Sequence, residues 1–120
     1  MTQIEFLCIL NQIKLFHWNT KSYAAHIAFA QAYKKLEKNI DAFVEMWQGE
    51  YGLMPTGSFE KEQVNKNDET GIAVFFNDTQ DFLLIDVPQN INKDTDKDLL
   101  NKRDDILGCL SILKYLLTLS

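Results

Sequence analysis

Four side chains of this 120-residue chain could together hold a metal ion: His17, His26, Asp41 and Glu45. Two imidazole nitrogens and two carboxylates suit iron(II), with zinc or manganese as competitors. The spacing indicates how they could meet. Asp41 and Glu45 are four positions apart, so on a helix they stand one turn apart on one face and can grip one cation between them. His17 lies about one turn before the polar break Asn19-Thr20-Lys21-Ser22, and His26 about one turn after it. A break that short joins antiparallel helices, which brings both imidazoles to the same end of a helical hairpin. Fifteen positions separate His26 from Asp41, roughly 22 Å of helix at about 1.5 Å per residue, a gap no ion bridges. One site built from all four therefore needs a second copy of the chain. With the long helices of two copies antiparallel, the histidines of one subunit face the carboxylates of its two-fold mate, giving two equivalent sites per dimer.

The elements that must position these residues are legible in the apolar pattern. The first helix is expected from about Thr2 to Trp18, with apolar residues on most of its surface and a narrow polar edge of Glu5, Asn11, Gln12 and Lys14. A helix of that kind wants cover on nearly every side, more than a small monomeric bundle supplies, and so points to an oligomer. The second is expected from about Tyr23 to Trp47, capped by Thr20 or Ser22 and stopped by Gly49 or Gly52. Its apolar stripe runs through Phe29, Tyr33, Leu36, Ile40, Phe43, Val44 and Trp47. Each candidate ligand also has an ordinary explanation. His26 edges that stripe, where a lone histidine is commonly a hydrogen-bonded core residue. His17 can close its helix as a cation at the C-terminus. Asp41 and Glu45, interleaved with Lys34 and Lys38, can form a solvated charged face.

His17-Trp18-Asn19, then His26, then Asp41-x-x-x-Glu45, resembles the ferroxidase signature of the Dps family, the miniature ferritins. The resemblance covers about a third of the chain. It implies an all-α fold, a ferritin-like four-helix bundle with a long crossover between helices 2 and 3, occupying residues 1–120 as a single domain. It also implies a homo-oligomer, at least a two-fold dimer, whose shared site oxidises Fe(II) with peroxide or dioxygen and stores ferric mineral inside a shell. His17 and His26 would be the nitrogen ligands, Asp41 a bridging or terminal carboxylate and Glu45 the second one. Trp18 would shield the site or accept an electron. The chain departs from the family in three ways. The segment between the histidines is short, the chain is shorter than Dps proteins, and Ala30 stands where the family usually has a further acidic ligand one turn after the second histidine.

The polar stretch from Tyr51 to Thr70, with Pro55, Gly57, Ser58 and the charged run Glu60 to Glu69, has the length of such a crossover. Residues 71–87 read two ways: local signals around Asn77-Asp78-Thr79-Gln80 fit a β-hairpin, while Ile72, Phe75, Phe76, Thr79, Phe82 and Leu83 fit one side of a short third helix. The bundle context favours the helix. A last helix is expected from a cap at Asp94 or Thr95 to the C-terminus, burying Leu99, Ile106, Cys109, Leu110, Leu113, Leu116 and Leu117, with Gly108 marking a close helix contact.

A net charge of -5 and a pI near 4.9 argue against a broad polyanion-binding surface, and neither end is a basic arm, so nucleic-acid binding is not expected. No apolar run spans a bilayer and no secretory leader is evident, which places the expected location in the cytoplasm, or the host cytoplasm were the chain viral. Cys8 and Cys109 lie in separate apolar patterns and are expected to be buried thiols. There is no Glu-x-x-His pair, phosphate loop, His-Glu-x-x-His or nucleophile elbow. Two readings remain: a Dps-like iron-binding protein, or a ferritin-like structural or interaction module without catalytic activity.

Overall fold

Thr2 opens the first helix, α1 (Gln3–Asn19), its hydroxyl accepting from the Glu5 amide. This computed structural model describes residues 1–59 and 64–120. The chain turns at Thr20 and Lys21, and Ser22 caps α2 (Tyr23–Tyr51) by accepting from the Ala25 amide, while the Thr20 hydroxyl accepts from the Ser22 amide. The second helix runs further than the expected end near Trp47. Gly49 lies inside it, since one glycine weakens a helix without forcing a turn. Gly52 ends it, at φ +89°, in the left-handed region that favours glycine.

The polypeptide then returns along α1. Backbone amides of Gln3 and Ile4 donate to the carbonyls of Pro55 and Thr56, beside the start of α1. Halfway up, buried Gln12 and the backbone of Asn65 bond each other reciprocally, Gln12 accepting from the Asn65 amide at 2.9 Å and donating to its carbonyl at 3.4 Å. At the top, Asn67 donates to the carbonyl of Asn19. Residues 60–63, the first part of the charged run from Glu60 to Glu69, lie outside the described residues.

The ambiguous segment is helical, and no strand occurs among the described residues. Asp68 caps α3 (Glu69–Asp81) by accepting from the Gly71 amide at 2.7 Å. Phe75, Phe76, Thr79 and Leu83 are buried at helical spacing, and that burial overrides the local hairpin signal. The helix continues as a wider π turn (Phe82–Asp86) and a 3-10 turn (Val87–Asn90). Pro88 has no amide to donate, so the α pattern cannot continue past it. The Val87 amide reaches back to Phe82, and the Leu83 carbonyl is taken instead by Arg103 at 3.2 Å.

The last helix, α4 (Lys97–Leu117), starts later than expected. Asp96 is its N-cap residue, yet its side chain caps nothing. Buried Asp96 accepts instead from the Asn92 amide at 2.8 Å and from the Tyr51 hydroxyl. The Asn92 side chain accepts from the amides of Asp94 and Thr95, so those two residues belong to the turn that leads in. The phenol of Tyr51 is held above its ordinary value, first by its hydrogen bond to Asp96. Gly108 is exposed, and among the described residues nothing stands within 4 Å of where its Cβ would be, so the expected close helix contact is not made there.

Helix α2 is the hub, packing along α1 on one side and α4 on the other. Aromatic rings fasten α3 and the π turn that continues it to α1: Phe6 meets Phe82 at 5.1 Å and Phe16 meets Phe75 at 5.7 Å. Those pairs make α3 antiparallel to α1, and the contacts of Tyr51 with Asp96 and Asn39 with Cys109 make α4 antiparallel to α2. Cys109 is buried and Cys8 is half-buried, both as thiols on separate helices.

Candidate metal centre

Both histidines stand at the hairpin end, and the short turn brings them face to face. Their rings stack at 3.8 Å between centroids and 17° between planes. Nδ1 of His17 bonds the carbonyl of His26 at 2.8 Å, and Nδ1 of His26 bonds the carbonyl of His17 at 2.8 Å. A carbonyl oxygen only accepts, so each Nδ1 is the protonated nitrogen and each Nε2 is the one left with a lone pair when the ring is neutral. The exchange has a local cause. The His17 carbonyl lies in the last turn of α1, where following helical amides run out, and the His26 ring supplies the missing donor.

No local signal in the residues points to these reciprocal bonds, although the nine-residue spacing across a four-residue break places the rings close enough to make them. Both rings are half-buried, with Tyr23 further out over His26 at 6.5 Å between centroids. Trp18 is 67% exposed beside the pair. Lys14 sets its ammonium 4.1 Å from the Tyr33 ring and 5.9 Å from that of Trp18, which ties α1 to α2 one turn below the histidines.

Asp41 and Glu45 are exposed on α2 and far from the histidines of their own chain. Among the described residues no three His, Cys, Asp or Glu side chains come together as a metal-binding group. One chain thus pairs the imidazoles and leaves the carboxylates elsewhere. They do share a side of α2: at about 100° per residue, Ala30, Glu37 and Asp41 fall within roughly 60° of His26 around the helix axis, and Glu45 within roughly 100°. Small Ala30 lies between the imidazole and the carboxylates on that strip, half-buried.

No described helix is long and apolar enough to cross a membrane. Residues 17–117 match the model of a protein family described as a family of unknown function (DUF5856), so the chain belongs to that family. The match begins at His17 and takes in His26, Asp41 and Glu45. No curated protein and no solved structure matches the chain.

Proposed function

We propose that this DUF5856 family member is a compact Dps-like protein that binds Fe(II) at a site shared between two copies, with His17 and His26 from one subunit and Asp41 and Glu45 from its two-fold mate. The observation that carries the reading is the state of the imidazoles. A metal-binding histidine commonly donates its second ring nitrogen to a backbone carbonyl, which fixes the tautomer and frees the other nitrogen for the metal. His17 and His26 both do so.

The course of the chain supports a ferritin-like bundle. It goes up α1, down α2, back along α1, down α3 and up α4, with the return at the place of the long crossover. The placement of His26, Ala30 and Asp41 along one side of α2 supports the antiparallel pairing of two copies through that side. Iron is the substrate of the site. Two Fe(II) ions each give one electron to a peroxide, whose O–O bond breaks, and two protons complete two waters. Two imidazole nitrogens and two carboxylates per site hold the ferric product more tightly than the ferrous ion, because the carboxylate charge favours the higher oxidation state. With Ala30 in place of a carboxylate, one of the two iron positions is the weaker, and oxidation is slow.

A specific observation also favours the second reading, a structural or interaction module without catalysis: the reciprocal ring-to-carbonyl bonds account for both histidines as a hairpin clamp with no metal involved. Titrating metal-free protein with Fe(II), in air and then with peroxide, separates the two. Saturable oxidation above the protein-free rate, at about one or two irons per chain and lost in Glu45→Ala, supports the shared site. A rate equal to background in both proteins leaves only the scaffold.

A further inference from the structure

At the hairpin end, α3 stands off from α2 and α4, and an open-sided cavity of about 700 Å³ lies between them. Its floor is apolar, made by Ala25, Phe29, Ile72, Phe76 and Leu117. A smaller and more polar cavity of about 240 Å³ continues between α3 and α4, past Gln80 and Ser111 as well as Leu84, Leu107 and Leu110. The two meet at Phe76 and Lys114, which line both. The Lys114 ammonium sits 5.8 Å from the Phe76 ring centroid, and among the described residues no carboxylate forms an ion pair with it. An apolar floor under a polar rim, with the exposed Lys114 cation where the two cavities meet, calls for an amphipathic ligand. The total volume lies in the range of small-molecule sites.

We propose that this slot binds a single-chain alkyl monocarboxylate of fatty-acid type, its chain along Phe29, Ile72, Phe76 and Leu117 and its carboxylate on Lys114. The Lys114 charge selects the head group. An ammonium head would meet Lys114, whereas a carboxylate gains a charge-assisted hydrogen bond there. Asp68 and Glu69, both exposed, also line the larger cavity where α3 begins, and Asp68 is engaged as the cap of α3. Lys21 offsets them on the same rim. A head group at the rim would face those carboxylates, which orients the carboxylate inward to Lys114 and the chain outward. This site is separate from the histidine pair and does not depend on the iron reading.

The test is calorimetric titration of the full chain with octanoate, decanoate and dodecanoate below their micelle concentrations, beside decanol and decyltrimethylammonium. The expected result is one saturable site that tightens about fourfold per added methylene, the factor equivalent to about 0.8 kcal/mol per buried CH₂. Lys114→Ala weakens decanoate about tenfold or more and leaves decanol unchanged. Ala73→Trp, which fills the slot from an exposed position on α3, removes both, with circular dichroism confirming that each variant folds. Absence of saturable binding, no dependence on chain length, ammonium binding equal to carboxylate binding, or decanoate affinity indifferent to Lys114→Ala would each overturn the proposal.

Discussion

Replacing His26 by three different residues separates its hydrogen-bonding role at the hairpin from the metal-binding role proposed for it. His26→Ala removes the Nδ1–H donor to the His17 carbonyl and the 3.8 Å stack with the His17 ring. A hydrogen bond contributes about 0.5–1.5 kcal/mol net, and a ring pair adds a similar amount when well packed. Alanine returns about 0.5 kcal/mol through its better helix propensity, and water reaches the half-buried carbonyl in part. The net loss is about 1–2 kcal/mol, a fall in Tm of about 4–8 °C for a domain of this size. His26→Asn places its amide N–H near the position of Nδ1 and keeps that hydrogen bond but loses the ring stack, so its stability should fall between wild type and His26→Ala, about 0.5–1 kcal/mol below wild type, while Nε2 is gone and the proposed iron binding is expected to go with it. His26→Gln reaches the position of Nε2 instead and is as unstable as the alanine variant. Urea unfolding followed by circular dichroism measures the first property, and Fe(II) titration the second. A double-mutant cycle with His17→Ala should give a coupling of at least about 0.5 kcal/mol, because each ring holds the other. If His26→Asn is as unstable as His26→Ala, or if His26→Ala costs nothing, the clamp assignment is wrong.

Three further outcomes rest on other parts of the fold. Gly71→Ala drives a Cβ into the Lys66 carbonyl oxygen, so the crossover must shift, and about 1–3 kcal/mol of stability is lost in urea unfolding. Arg103→Ala leaves the Leu83 carbonyl at the π turn without its donor and costs about 1 kcal/mol, seen as a lower urea midpoint with an unchanged slope. The Tyr51 phenol is raised above 10.0 by its bond to Asp96, so the folded state holds this proton more tightly than the unfolded chain does. The pair's contribution is complete below the unfolded value and is lost as pH rises through the higher folded one. Tyr51→Phe should be less stable than wild type at neutral pH and should lack this alkaline loss; thermal melts across that range that change equally in both proteins would refute the assignment.

By itself the amino-acid sequence determined the helical segments and the hairpin. Apolar residues at 3.6-residue spacing, polar breaks and capping hydroxyls are local signals, and Thr2, Ser22 and Gly52 act where the chain places them. The antiparallel meeting of His17 and His26 was legible for the same reason, since a four-residue break permits little else. Tertiary structure decided what local signals left open. Residues 71–87 read as hairpin or helix until burial of Phe75, Phe76 and Leu83 settled the matter. Asp96, rather than Asp94 or Thr95, begins α4, because the Asn92 side chain takes the amides of those two into a turn, while a tyrosine forty-five residues earlier in the chain claims the Asp96 carboxylate. The tautomer of the two histidines was likewise beyond the sequence, because it depends on which backbone carbonyl each ring meets across the turn. Side-chain chemistry follows residue type, but which imidazole nitrogen is left outside the ring-to-carbonyl bonds is fixed only when two helices are brought together.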